Sequence, residues 1–256
     1  MAQNSQFLKK NPNIINIYGY HSVIAALKNK NRSKKRLVLT ENSAKILKKK
    51  FKGSLPEICI ISKKKFERIY YSEENNQEIV LEALRLPNNS INNILNQTEN
   101  ESHSILLMLD RVNDPHNIGS IMRSAALFGS KAVIVSNDNA PDMNSTIIKS
   151  ASGGAEIVDY IKVTNLVRCI QEIKKKNYWV IGLDSESTET IDKFEIPNKC
   201  LFIIGSEHSG LRELTKKNCD YLISIKSKNI MNLEIDSLNV SNATSIALYE
   251  YFKKSK

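Results

Sequence analysis

The chain has 256 residues, 37 Lys and Arg against 27 Asp and Glu, and a formal net charge of +10; that length allows one large or two modest domains, each with its own core. Its four cysteines, Cys59, Cys169, Cys200 and Cys219, are far apart and form no C-x-x-C pair, which argues against a zinc site or a disulfide framework and leaves no metal expected. The start MAQNSQFLKKNPN has no apolar signal core and no apolar run nears the roughly 18 residues of a membrane span, so the expectation is a cytoplasmic protein with no membrane partner.

In chain order, residues 1–13 are polar and expected to be a disordered tail. From Ile17, IYGYHSVIAALKNK has a helix-like pattern; RLVLT (36–40) reads as a strand, NSAKILKKKF (42–51) as a basic helix and EICIIS (57–62) as another strand. These make a small α/β unit over residues 14–87. Residues 88–104, NNSINNILNQTENESHS, are Asn-rich and weakly apolar and are expected to be a linker. Charge divides at the same place. Residues 1–100 hold 18 Lys and Arg against 8 Asp and Glu, whereas residues 101–256 hold 19 of each. A basic unit ahead of a neutral one suits an anion-binding handle, and a basic surface binds nucleic acid through counterion release. Taken singly, the lysine runs 48–50, 63–65 and 174–176 are ordinary solvated faces.

Beyond the linker, ILLMLD (105–110) reads as a buried strand. Asp114-Pro115 breaks the chain, Asn117 is a good N-cap, and Gly129 stands where a helix C-terminus favours glycine. With Ile118 at zero and about 100° per residue, Ile121, Met122, Ala125 and Phe128 form one stripe while Arg123 lands roughly 140° away, off the core. KAVIVS, YWVIGLD, CLFIIG and YLISIK are further short apolar strands between helical stretches, the pattern of an α/β domain with a mostly parallel sheet. Three strand-end loops carry polar residues: the one leading to Asn117, the GSEHSGL run from Gly205, and Ser237-Leu238-Asn239 ahead of the last helix. Ligands of open α/β sheets bind beyond the carboxyl ends of strands, so three such loops indicate one shared pocket.

Competing motifs fail on their details. Gly205 and Gly210 have phosphate-loop spacing, but Leu211-Arg212 follows where Lys and Ser/Thr are needed. Ser152-Gly153-Gly154 lacks the dinucleotide spacing and is expected to end a helix. His116 beside Asp114 has no serine in a G-x-S-x-G elbow to complete a hydrolase; it stands as a rival general base.

Asn117-x-Gly119-x-x-x-Arg123, then IIGSEHSGL, then SLNVSNATSIALYE, in that order over residues 105–256, resemble the three motifs of the SpoU family of RNA 2′-O-ribose methyltransferases, of the SPOUT class. Tyr18-Gly19-Tyr20-His21-Ser22-Val23 through Ala26-Leu27 resembles the N-terminal substrate-binding domain of the ribosomal-RNA branch of that family, which has the L30e-like fold of a ribosomal RNA-binding protein. The resemblance implies a C-terminal α/β domain with a trefoil knot, S-adenosyl-L-methionine as cofactor, a homodimer, and an RNA substrate. It makes Arg123 the central catalytic residue, with Asn117, Glu207, Ser237 and Asn239 shaping the site, and lines the cofactor pocket with Gly205, Ile225 and Leu238. The ribosomal-RNA branch implies a guanosine of large-subunit (23S) RNA as target; transfer RNA, or a catalytically weak ribosome-assembly role on the same scaffold, are the alternatives. One departure is visible: KSKNIMNLEID (226–236) replaces the shorter Pro- and Gly-containing loop of the family, and is expected to become ordered only when cofactor binds.

Overall fold

The computed structural model describes residues 13–70, 77–207, 209–226 and 238–254. The N-terminal unit runs β1 (Ile14–Tyr18), α1 (Tyr20–Lys28), β2 (Lys34–Leu39), α2 (Glu41–Lys50), β3 (Glu57–Ile60), α3 (Lys63–Ile69) and β4 (Ile79–Leu84). Its four strands lie in the order β1-β4-β2-β3, antiparallel except for the β2–β3 pair. The helix-like pattern from Ile17 therefore starts three residues ahead of the helix, on the last two residues of a strand. Ile15 and Ile17 alternate inward as strand residues, and Gly19, at φ 81°, turns the chain into α1, a conformation that costs glycine little.

The segment expected to be a linker holds a helix, α4 (Ile91–Gln97), whose Ile91, Ile94 and Leu95 are buried. Asn-rich as it is, its apolar residues recur at the 3.6-residue period, and Ser90 caps it by accepting the Asn93 N–H. Then follow β5 (Ser104–Asp110), α5 (Pro115–Leu127), β6 (Ala132–Ser136), α6 (Ser145–Ala151), a 3₁₀ turn (Gly154–Glu156), β7 (Asp159–Val163), α7 (Leu166–Lys174), β8 (Trp179–Leu183), β9 (Lys199–Gly205), α8 (Glu213–Lys216), β10 (Tyr221–Ile223) and α9 (Val240–Lys254). The six strands form a parallel sheet in the order β10-β8-β9-β5-β6-β7. Every residue of β5 is buried: Ile105, Leu107 and Leu109 face the side covered by α5, α6 and α9, and Leu106 and Met108 face α4 and α7. Strands buried on both faces read as continuous apolar runs, which is why they were visible in the sequence. From β5 the sheet grows through β6 and β7 on one side and through β9, β8 and β10 on the other, so its topological switch point lies between β5 and β9.

The two units share one core. Val23 and Ala26 of α1 pack in the same cluster as Ile147, Ile148 and Ala151 of α6, and a Cβ on Gly153 would come within 2.9 Å of the Ala25 Cβ. Ser22 donates to the Ile148 carbonyl at 3.0 Å. Arg32 reaches from the loop after α1 to Glu156 at 2.6 Å, both side chains only 3% exposed. Asn29 also donates to Glu156 and Arg32 to the Leu84 carbonyl. Losing one partner of such a buried pair strands the other, whereas an apolar pair of similar volume can replace both. Glu156→Ala is expected to lower stability by about 3–5 kcal/mol in denaturant unfolding, and Arg32→Met combined with Glu156→Leu to restore most of that loss.

Candidate active site

Asp110 and Gly205, the last residues of β5 and β9, lie opposite each other in register, so the chain leaves both strands at the switch point. From β5 it passes to α5, which is capped by Asp114: its carboxylate accepts the N–H groups of His116 and Asn117, and Pro115 fills the first helical position. This corrects the expectation that Asn117 is the N-cap. Proline is preorganised for that first position, which sets the cap at the residue before it. The result is chemical as well as structural, because Asn117 keeps its amide for the site.

β9 ends without room for a side chain. A Cβ on Gly205 would lie 2.2 Å from the Gly210 carbonyl carbon and 2.4 Å from the Leu211 nitrogen, since the loop folds back so that Ser206 and Gly210 exchange backbone hydrogen bonds of 3.2 and 3.0 Å. That fold aims Glu207 at the starts of α5 and α9. Its Oε1 accepts from Asn239 Nδ2 at 2.6 Å, Asn117 Nδ2 at 3.2 Å and the Val240 backbone N–H at 3.3 Å. Asn239 Nδ2 also donates to Asn117 Oδ1 at 3.0 Å, while Asn239 Oδ1 accepts from the Ser241 N–H and hydroxyl. One residue from each of the three loops thus joins one network. The other carboxylate oxygen of Glu207 makes no hydrogen bond among the described residues.

The remaining candidates are placed differently. Arg123 is exposed on the outer side of α5 and makes no ion pair among the described residues. It lies six residues beyond Asn117, hence about 9 Å along the axis and about 120° around it. Leu127, one turn further, is 71% exposed, and Tyr249 of α9 is 50% exposed. Ile225, just past β10, is half-buried against the core, and Leu238 stands 42% exposed immediately before Asn239. Ser237 and residues 227–236 of the atypical loop lie outside the described residues. His116 turns toward α6, its Nδ1 3.3 Å from Ser150 Oγ, and takes no part in the network. Gly153, at φ 102°, follows the end of α6, as expected of the glycine pair. Gly119 serves packing: a Cβ there would meet Ser150 Cβ at 2.4 Å and the Ile147 carbonyl at 2.6 Å, so its absence lets α5 and α6 touch.

Sequence reasoning singled out neither the Val240 N–H, since a backbone donor leaves no motif, nor Ser241, whose N–H and hydroxyl both donate to Asn239 Oδ1. It also passed over Asp110, although an acidic residue closing the run ILLML was a visible signal. Cysteine chemistry is disfavoured by burial, which pushes the Cys169 and Cys219 thiols up to about 12, far from a thiolate at neutral pH. Among the described residues no three His, Cys, Asp or Glu side chains are grouped to hold a metal, and no helix is long and apolar enough to cross a membrane. Gly205 is half-buried at the end of β9, and Ile225 and Leu238 are apolar and only partly buried; these residue types are compatible with S-adenosylmethionine, whose adenine needs an apolar slot.

The sequence has recognisable relatives. The profile of the SpoU rRNA Methylase family matches residues 104–249, and that of the RNA 2′-O ribose methyltransferase substrate-binding domain matches residues 16–104. The chain is 34% identical over 242 residues to the 23S rRNA (guanosine-2′-O-)-methyltransferase RlmB of Coxiella burnetii, covering 93% of this chain and 94% of that protein. It is also 34% identical to the RlmB of Vibrio parahaemolyticus over 91% of this chain and 94% of that one. Among solved structures, the SpoU methyltransferase AviRb from Streptomyces viridochromogenes in complex with AdoMet superposes with a TM-score of 0.76, at 19% identity, over 95% of this chain and 91% of that one. The last of these likenesses is one of fold. Together, the matched profiles and the full-length relatives show that the chain belongs to the SpoU family of RNA 2′-O-ribose methyltransferases.

Proposed function

We propose that this protein methylates the ribose 2′-hydroxyl of a guanosine in large-subunit (23S) ribosomal RNA, with S-adenosylmethionine as methyl donor. The observation that carries the reading is the convergence of Asn117, Glu207 and Asn239, one from each motif, at the carboxyl ends of β5 and β9. The full-length relatives named for that substrate, and the appended basic domain, favour ribosomal over transfer RNA. The enzyme is proposed to work in the cytoplasm, as a knotted homodimer.

The bound cofactor supplies an electrophilic methyl on a sulfonium; Gly205, Ile225 and Leu238 are the residues proposed to hold it, with Ser237 bordering the site. The chain's own part is positioning. A ribose hydroxyl is a poor nucleophile, and holding it in line supplies much of the acceleration. Glu207, fixed through Oε1 by three donors, offers its second oxygen as acceptor for the hydroxyl proton. A guanidinium keeps its proton to above pH 12, so Arg123 is proposed to clamp the adjacent phosphate rather than act as base. Because Arg123 stands a third of a turn from Asn117, a site using both is completed by a second copy covering the face of Arg123, Leu127 and Tyr249. Exposed apolar side chains of that size mark such a contact.

Arg123→Ala is expected to slow methylation of ribosomal RNA by about 100- to 1000-fold, with cofactor affinity nearly unchanged and stability within about 0.5 kcal/mol of wild type; Arg123→Lys should recover little, since it lacks the planar fork. A near wild-type rate for Arg123→Ala would refute the assignment. Subunit sharing has its own signature. Arg123→Ala and Asn239→Ala proteins, each inactive alone, should regain about a quarter of wild-type activity when unfolded and refolded together, because half of the mixed dimers' sites are intact. No gain would place each site within one chain. For the handle, replacing exposed Lys45, Lys48 and Lys49 of α2 with Ala should weaken RNA binding and flatten its salt dependence by about 0.7 per lost phosphate contact, without altering cofactor binding measured by calorimetry.

A further inference from the structure

Asp110 stands outside the network of Asn117, Glu207 and Asn239, yet it is a carboxylate with no exposure at the end of the central strand. A charge so placed is costly unless its surroundings hold it. Its Oδ2 accepts from Thr215 Oγ1 at 2.7 Å and from the Arg212 backbone N–H at 3.2 Å. Its Oδ1 lies 2.7 Å from Arg212 Nε, close enough for an ion pair, although the two atoms are not aligned as a hydrogen bond. Arg212 is the N-cap of α8 and its side chain makes no capping bond; beside Glu213 in the first turn, the carboxylate of Asp110 reaches this helix start from another strand.

We infer that Asp110 is a positioning residue for the cofactor: through Arg212 and Thr215 it clasps the far end of the loop that begins at Gly205, and so sets the shape of the pocket. This rests on the proposal that Gly205 borders the cofactor site. Gly205 pairs with Asp110 across the sheet, so the loop starts beside Asp110 and, seven residues later, is returned to it by Arg212. The described residues at the two ends of the loop are closely packed. Gly205 is pressed against Gly210 and Leu211, and Leu211, 3% exposed, fills the space left by Gly182, where a Cβ would come within 2.7 Å of it. The clasp itself is held under strain: Arg111, directly after Asp110, adopts φ 63°, a left-handed conformation unfavourable for a side chain of that kind and commonest where function requires it.

The test uses the full-length protein and three substitutions, Asp110→Asn, Arg212→Gln and Thr215→Val, with S-adenosylmethionine itself as the calorimetric probe. Asp110→Asn and Arg212→Gln are each expected to raise its Kd about ten- to a hundredfold, the loss typical of a hydrogen-bonded charged partner. Thr215→Val should have a smaller effect in the same direction, and Arg212→Lys should recover part of the loss. KM for the cofactor should rise while kcat at saturation stays near wild type, and backbone amides 209–212 should exchange faster in the cofactor-free protein. Asp110→Asn with Arg212→Gln should not be additive, since both break one clasp. A merely structural role predicts something else: a lower melting temperature with the Kd within twofold of wild type well below that temperature, which would overturn the inference. Should Asp110→Asn fail to fold, half-exposed Arg212 and the isosteric Thr215→Val carry the same comparison. Normal binding by these variants sinks this inference alone; absence of binding by the wild-type chain sinks the functional reading and the inference with it.

Discussion

The carboxyl end of β9 has room for backbone only, and most of the site follows from that. With no Cβ at Gly205, the chain can reverse at once and pair Ser206 with Gly210. A larger residue would push the reversal outward and carry Glu207 away from α5 and α9. In the observed geometry one carboxylate oxygen collects three donors from two helix starts that are distant in sequence. The same reversal is supported from below, where Leu211 and Asp110 occupy the buried layer. The polar network is thus mounted on apolar packing, and its side chains are fixed by what lies under them rather than by one another alone.

Charge is used in two ways in the chain. Where the two units meet, Arg32 and Glu156 are almost fully buried and neutralise each other, with the Asn29 amide and the Leu84 carbonyl satisfying what remains. On α2 the lysines are exposed to water, and Lys50 also lies over the Tyr20 ring. The first arrangement orders the fold and shows little to solvent; the second costs the fold little and gives the N-terminal unit its positive field. The basic excess of residues 1–100 is therefore mostly a property of the surface.

Much of this was legible in the sequence, for identifiable reasons. Strands of the parallel sheet are buried on both faces, so β5, β6, β8 and β9 appear as apolar runs. The motif residues Asn117, Glu207 and Asn239 appear at strand ends, and the structure brings them together. β7, DYIKV, was not read because only its central Ile161 is fully buried and its alternation is weak; β4 was missed among short apolar stretches with no turn signal. α4 is masked by an Asn-rich, linker-like composition, although Ile91, Ile94 and Leu95 keep the helical spacing. The cap of α5 was misplaced by three residues, since Asn117 and Asp114 are both good caps and only Pro115 decides between them. The clasp at Asp110 joins residues about a hundred positions apart, a relation no local pattern contains.

The shared core between the units fixes more than stability. Ser22, Ala25, Asn29 and Arg32 all contact the layer of α6 and the 3₁₀ turn that backs the catalytic sheet, so the basic surface cannot swing freely relative to the site. Such an arrangement works as a ruler. On the proposed function, an RNA gripped by the N-terminal unit would present to Glu207 only those riboses that lie at one set distance and direction from the grip, and selection among chemically identical 2′-hydroxyls would become a matter of RNA shape.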